Sequence, residues 1–509
     1  MAQDRYIMSV DLGTTAFKAA LFDDAGAAVA THTEEHTLLT PHALIVEQTA
    51  DAYWQTFKTS IRRVLEKSGA AKEKIAAMSF SAQGETMCFL DEAMQPQGNF
   101  LVWMDTRAQD EADDINRAFP SEEILQVTGQ GPIASLYPAS KVLWMRRHHP
   151  EILEKTKKIL LLEDYIVFRL TGRTCGEGSL WCTSYLWNIN TRRWWPEMLQ
   201  MAGVRADQLP DIVPTGTPLG TILPGVAAEL GLSPDTQLVM GALDQLCGAI
   251  GVGSIAPGVV SECTGAAVAV CTMSDHIVLD HGGELPCFFG AEPGRYLLHA
   301  CGKGGIVYRW LRDQLCSELL SAEKAGGADA YAEMDKLAAD IPAGCEGLTV
   351  LPFWGGAGGP DTDQYAKGCI YGLGLQHTRA HLIRAFMEAV AVNIYRMVKY
   401  TENITHSPIT EIRALGGGAN SPLWCQIKAD MLGVPVKTMH NVQDAGCLAA
   451  AMIAGWGTGL WPGLEEKAAQ VIRLDKTYLP NPANRAAYDE LIARYDTLLA
   501  ATKPVTRRL

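Results

Sequence analysis

The sequence predicts an α/β protein in two halves, each a mixed sheet flanked by helices. Three observations carry this. Tyr6 to Asp23 runs apolar to Asp11, turns through Gly13-Thr14-Thr15 and runs apolar again to Asp23-Asp24-Ala25-Gly26, a strand–turn–strand unit closed by a second turn. Val259-Val260-Ser261-Glu262-Cys263-Thr264-Gly265-Ala266-Ala267-Val268-Ala269-Val270 repeats that grammar, which suggests a duplicated fold. The chain of 509 residues is too long for one core and calls for two or three domains. Gly251-Val252-Gly253-Ser254-Ile255-Ala256-Pro257-Gly258 breaks the composition and reads as the link.

The bulk composition narrows the function classes. With 48% hydrophobic and 20% charged residues, the chain reads as globular and soluble. A net charge of −14 argues against a general nucleic-acid or anionic-membrane binder, since those need a basic face. It leaves room for a nucleotide held by backbone donors and a metal ion. The 13 cysteines are odd in number and form no CxxC pair, so reduced buried thiols are expected rather than a disulfide scaffold or zinc site. Met1-Ala2-Gln3-Asp4-Arg5-Tyr6 lacks the basic and apolar regions of a signal peptide, and no apolar run approaches the ~20 residues of a membrane span. A cytoplasmic location is expected.

In chain order, Asp11 with Gly13, Thr14, Thr15 and Lys18 puts a hard anionic ligand, small hydroxyls and a cation at a hairpin tip. Mg²⁺ favours carboxylates, waters and phosphates, and a tight glycine turn offers N–H groups to phosphate. An ordinary polar hairpin tip is the plainer reading. Residues 27–30 read as a third strand and 31–42 as a polar excursion. Glu47 to Asp51 then offers caps for a helix through Tyr53, Trp54, Phe57 and Ile61. Residues 75–80 form a buried-strand run delivering Ser81-Ala82-Gln83-Gly84-Glu85-Thr86 to its carboxyl end, where open α/β sheets bind ligands. In Trp103-Met104-Asp105-Thr106-Arg107 the acid and guanidinium either read vicinal hydroxyls or pair locally to order the next helix. Trp181, Trp187, Trp194 and Trp195 are expected in the core.

Residues 237–242 are another buried strand, ending at Leu243-Asp244-Gln245. Phosphoryl transfer to an alcohol needs a carboxylate to accept the hydroxyl proton, and an acid at a strand end is well placed for it; helix capping is compatible. Gly302-Lys303-Gly304-Gly305 opens a helix and lets backbone approach an anion, though it is no Walker A loop. Trp354-Gly355-Gly356-Ala357-Gly358-Gly359-Pro360 reads as a flexible loop. His377 and His381 are four apart but lack the acidic partner of a zincin. Residues 412–415 form a strand feeding Gly416-Gly417-Gly418-Ala419-Asn420-Ser421, whose bare backbone suits a flat base. From about Pro462 onward a polar helical tail is expected.

Asp11-Leu12-Gly13-Thr14-Thr15 with Lys18 resembles the first phosphate loop of the actin, heat-shock chaperone and sugar kinase superfamily. Leu136-Tyr137-Pro138-Ala139-Ser140-Lys141-Val142-Leu143-Trp144-Met145 and residues 368–388 nearly match the two signatures of the FGGY carbohydrate kinases, Leu136 and Phe386 departing. The resemblance runs from about Ser9 to Gly455. It implies two RNase H-like (actin-like ATPase) domains with nucleotide in the interdomain cleft: residues 1–253, residues 254–470, and a helical tail at 471–509. It implies ATP-dependent phosphorylation of a small sugar or polyol. Asp11 would then hold Mg²⁺, with Thr14, Thr15 and Lys18 near the transferring phosphate. Thr264, Gly265, Gly304 and Gly305 would meet the outer phosphates of ATP, and Gly417, Gly418, Ala419 and Asn420 the adenine. Gln83, Glu85, Asp105, Tyr137 and Gln245 would frame the sugar, and Asp244 would be the general base.

Four departures bear on these roles. Gly84 stands where glycerol kinases carry an arginine beside the acid, which counts against glycerol and would make room for a longer substrate. The Gln-Met-His-Gly pattern of xylulokinases is absent. Cys263 interrupts the second Gly-Thr turn, and the Gly355 to Gly359 loop lacks its relatives' charged pair. A polyol or ketopentose is the expected substrate. The alternatives are a xylulokinase- or ribulokinase-like ketose kinase, and a nucleotide-gated sugar-binding protein without turnover. Nucleic acid and membrane are not expected partners; a homodimer is, from the family's habit.

Overall fold

A computed structural model describes residues 5–440 and 442–506. The opening Met1-Ala2-Gln3-Asp4, read above for targeting signals, and the last three residues of the expected tail lie outside the described residues. The chain divides into two compact units: Met1–Ile255 with Ser274–Leu297 and Asp444–Ile472, and Ala256–Met273 with Leu298–Gln443 and Arg473–Leu509. The first crossing falls close to the expected link. The later part differs from the expected order in that residues 444–472 return to the first unit; the expected helical tail is present as helix Arg485–Thr506, which buries Tyr488, Leu491, Tyr495 and Leu499 within the second unit. Leu474–Tyr478 is instead a strand of the second unit, antiparallel to Val436–Met439. It is an exposed edge strand of mostly polar residues, so no buried face printed an apolar alternation on it.

In the first unit the sheet runs Pro218–Thr221, Gln237–Val239, Ile75–Ala82, Tyr6–Leu12, Ala16–Phe22, Ala28–Glu35. Tyr6–Leu12 pairs antiparallel with Ala16–Phe22, setting Asp11 opposite Lys18, and parallel with Ile75–Ala82, setting Asp11 beside Ser81. Ala242–Leu243 also pairs parallel with Ile75–Ala82, Leu243 beside Ala82. Three strands therefore end side by side, at Asp11, at Ser81 to Gln83 and at Asp244. The central runs are apolar without alternation because both faces are covered; Ile7, Met8, Val10, Met78 and Phe80 are all buried. Helix Ala50–Ser68 covers part of this sheet, burying Tyr53, Trp54, Phe57, Ile61 and Val64 at helical spacing. The Thr49 hydroxyl caps it, accepting from the Ala52 N–H at 3.1 Å, and Gly69 ends it at φ 61°. The third strand outruns its expected bounds: Thr31 to Glu35, read as a polar excursion, continue it along Ala16–Phe22.

Helix Leu162–Thr171 begins with a fully buried Asp164, which accepts from the Leu161 N–H and the Trp181 indole N–H, each at 2.9 Å. Burial outweighs these bonds and pushes the carboxyl up to about 8. A folded-state value above the unfolded one adds stability that is complete below the ordinary carboxylate range and is lost as pH rises through about 8. We expect Asp164→Asn to lose less melting temperature than the parent between about pH 6 and pH 9. Parallel melting curves across that window would refute this.

The second unit repeats the first in its strand logic. Val259–Thr264 pairs antiparallel with Ala267–Ser274 and parallel with Glu411–Leu415, which pairs parallel with Val436–Met439. Helix Arg379–Thr405 supplies the longest apolar face. Among the described residues, no helix is long and apolar enough to cross a membrane.

Candidate active site

At the strand ends of the first unit, Asp11 Oδ1 accepts from Ser81 Oγ at 2.7 Å. Burial raises the Asp11 carboxyl, while Ser81 and Lys18 oppose the rise. Lys18 forms an ion pair with Asp444. The helix Ala445–Gly457 starts here, with Gly446 close against the site: a Cβ there would stand 3.2 Å from Ser81 Oγ and 3.5 Å from Asp11 Cγ. Asp244 opens the helix Asp244–Gly251 and is half-buried. Burial, then Asp11 and Glu85, push its carboxyl up to about 8 against the Gln245 backbone N–H. Asp11 and Asp244 are hard oxygen donors close enough to raise the Asp244 carboxyl by like charge, and Mg²⁺ takes one or two carboxylates with phosphate oxygens and waters. That donor set fits the ion.

Glu85 is held at φ 57°, a left-handed conformation that costs a non-glycine residue roughly 1–3 kcal/mol and survives where surroundings enforce it. Burial raises its carboxyl; the Thr183 hydroxyl and Lys141 oppose that. Lys141 is fully buried, and burial lowers its ammonium to about 7 against Asp105 and Glu85. Its Nζ donates to the Val102 carbonyl at 2.8 Å. Tyr137 lies against Tyr185, ring centroids 4.7 Å apart, and the Tyr185 hydroxyl donates to the Gly131 carbonyl at 3.1 Å. Gln245 follows Asp244, half-buried.

Two expected sugar contacts are placed otherwise. Asp105 is fully buried and its carboxylate is saturated: Val46 N–H donates at 2.8 Å, Arg107 Nε at 2.9 and 3.0 Å, and an Arg107 terminal nitrogen at 2.6 Å. Arg107 also reaches Glu47 at 2.5 Å, so the local ion pair is the reading the geometry selects. Gln83 is buried, donating to the Gly13 carbonyl at 3.0 Å and accepting from the Thr86 hydroxyl at 2.9 Å. It braces the first turn. Gly84 opens no space for substrate, because a Cβ there would meet Leu243 Cδ1 at 3.1 Å and Thr183 Oγ1 at 3.5 Å. Thr14 accepts from the Trp103 indole N–H at 2.8 Å, and Thr15 is exposed at the turn. Thr183 and Tyr185 carry no site signal in the sequence, since they sit in a stretch whose aromatic density reads as core.

The second unit contains a cavity of about 610 Å³, within the usual range for a small-molecule site. Of the residues expected at ATP, Thr264, Gly265, Gly305, Gly417, Gly418 and Asn420 line it, with Tyr308, Arg309, Tyr331, Asp335 and Trp424. Gly304 and Ala419 do not line it. A Cβ at Gly304 would meet Ala267 C at 2.7 Å and one at Gly305 would meet the Gly265 carbonyl at 2.4 Å, so this run first serves packing of the helix start on the hairpin. In the Gly355 to Gly359 loop, Gly358 has a similar reason, since a Cβ there would lie 2.7 Å from Gly302 Cα. A Cβ at Gly418 would stand 2.6 Å from Thr264 Cβ. Gly418→Val should therefore weaken ADP binding at least ~10-fold in calorimetry, the effect of about 1.4 kcal/mol of misfit; unchanged affinity would refute the placement of nucleotide here.

The sequence matches the model of the FGGY family of carbohydrate kinases, N-terminal domain, over residues 6–251, and that of the C-terminal domain over residues 264–458. It is 29% identical over 454 residues to a gluconokinase of Bacillus licheniformis, covering 89% of this chain and 88% of that one. It is 27% identical over 506 residues to a xylulose kinase of Bacillus subtilis (strain 168), covering 99% of each. Its structure is similar to the xylulose kinase from Lactobacillus acidophilus, with a TM-score of 0.90 at 28% identity over 98% of both chains. The gluconate kinase from the same organism aligns with a TM-score of 0.89 at 28% identity over 98% of both.

Proposed function

The chain belongs to the FGGY family of carbohydrate kinases and is an ATP-dependent sugar kinase; on that premise we propose that it phosphorylates a hydroxyl of a neutral polyol or ketopentose, with Asp244 as general base. The observation that carries this is the meeting of Asp244, Asp11 and Glu85 at adjacent strand ends, with Asp244 pushed up to about 8. Asp244 takes the acceptor's proton as its oxygen bonds to the γ-phosphorus of ATP and the bond to the ADP oxygen breaks. A carboxylate with raised proton affinity suits that task. Asp11, with Ser81 holding its orientation, is the ligand for Mg²⁺, which supplies neutralisation of phosphate charge when bound. Glu85, kept in place by Thr183 and Lys141, accepts from a second hydroxyl, and Tyr137 and Gln245 complete the frame.

Charge supports a neutral acceptor. Glu85 disfavours the ionised form of Asp244, and the nearby cations are engaged. Arg107 holds Asp105 and Glu47, Lys18 pairs with Asp444, and Lys141 donates to Val102. An aldonate carboxylate would join two acids without a cation of its own. The test is ADP release from Mg·ATP across polyols, pentuloses, hexuloses, aldoses and aldonates. One strong neutral responder is expected; a selective aldonate response would overturn the charge argument, and a flat panel the kinase assignment of this site. With the responder in hand, Glu85→Gln should raise its KM about 10-fold, the effect of one lost charged hydrogen bond, and leave ADP binding unchanged.

A further inference from the structure

Behind the cavity of the second unit lies a buried charge pair that neither the sequence reading nor the family resemblance assigns. Glu262 on strand Val259–Thr264 and Lys428 on helix Pro422–Leu432 are both fully buried, Nζ to Oε2 at 2.6 Å. Thr264 closes the triangle. Lys428 Nζ donates to Thr264 Oγ1 at 3.0 Å, and the Thr264 hydroxyl is hydrogen-bonded to the other Glu262 oxygen. A hydroxyl has one proton. Opposite a carboxylate, which only accepts, that proton belongs to Glu262, while Lys428 takes a lone pair. The Thr264 side chain thus has no proton to offer a phosphate oxygen.

The triangle instead ties together three parts of the cavity wall. Thr264 belongs to the phosphate hairpin. Its Cβ is the atom that a side chain at Gly418 would strike, and its carbonyl lies 2.6 Å from where a Cβ at Gly416 would stand, so the adenine loop rests directly on it. Lys428 Nζ also lies 5.3 Å from the Trp424 ring centre, under the aromatic wall. A buried ion pair seldom improves stability over apolar packing, so the contacts the pair makes fit a positioning role better than a stabilising one.

We propose that Glu262 and Lys428 are positioning residues for the nucleotide: through the Thr264 hydroxyl they hold the phosphate hairpin and the adenine loop in register, and Thr264 meets phosphate through its backbone alone. This rests on the assignment of the cavity to ATP. The test is calorimetric binding of ADP and of adenosine to the full chain, its Thr264→Val variant and a Glu262→Gln/Lys428→Met double variant. The double variant strands no buried charge and is expected to fold. Loss of register should weaken adenosine and ADP alike, about 5- to 10-fold each, roughly one hydrogen bond. Weakened ADP with unchanged adenosine would show a direct hydroxyl–phosphate contact and overturn the proposal. Unchanged affinity for both in folded variants would also overturn it. A parent chain that binds neither ligand would remove the nucleotide assignment itself, which is a distinct result.

Discussion

Asp244→Asn is expected to abolish sugar-dependent ADP release while ADP still binds in the second unit. Asn keeps the shape of the side chain and loses the ability to take a proton. General-base catalysis contributes about 10²- to 10⁴-fold, and kcat should fall by that factor. The fold should not suffer. Asp244 is half-buried beside two other acids, and its carboxyl is driven up to about 8 by burial and by Asp11 and Glu85. Removing it relieves like-charge repulsion, so the melting temperature should hold or rise. Steady-state ADP release, calorimetry with ADP and a melting curve together decide the matter. Turnover within about 10-fold of the parent would remove Asp244 from the chemistry, and a collapsed melting temperature would make it a structural acid.

Asp105→Ala should behave in the opposite way, as a failure of folding rather than of sugar recognition. Asp105 is fully buried, five donor contacts reach its two oxygens, and Lys141 is sensitive to its charge. Without it the Val46 N–H is orphaned, Arg107 keeps only Glu47, and the buried Lys141 loses a counter-charge. Breaking a buried pair from one side costs about 3–5 kcal/mol. The first transition of a melting curve should drop on the order of 10 °C. A variant with a normal melting curve and a raised sugar KM would show instead that Asp105 touches the substrate.

The contrast between Asp244 and Asp105 marks what could be read from residues in a row. Both are acids beside apolar runs in motifs that resemble the same family. Asp244 follows a buried strand and opens a helix, and that local order alone places it at the sheet's carboxyl edge. Asp105 follows a turn-rich segment, and its two readings separate only when Val46, 59 positions earlier, delivers an N–H to it. At Gly84 the same principle holds: a missing side chain reads as space, but the direction of the absent Cβ belongs to Leu243 and Thr183.

The sequence by itself determined the duplicated strand–turn–strand plan, the family, the strand ends that carry Asp11, Glu85 and Asp244, and the glycine runs of the second half. Apolar runs and their polar stops state which backbone leaves water and where it returns, and both are local properties. Tertiary structure alone decided that residues 444–472 return to the first unit, that Leu474–Tyr478 closes the second sheet, and that Lys428 finds Glu262 across 166 positions. Those outcomes depend on which distant surfaces meet. A charged side chain carries no mark of whether water or an opposite charge will neutralise it until the chain has closed around it.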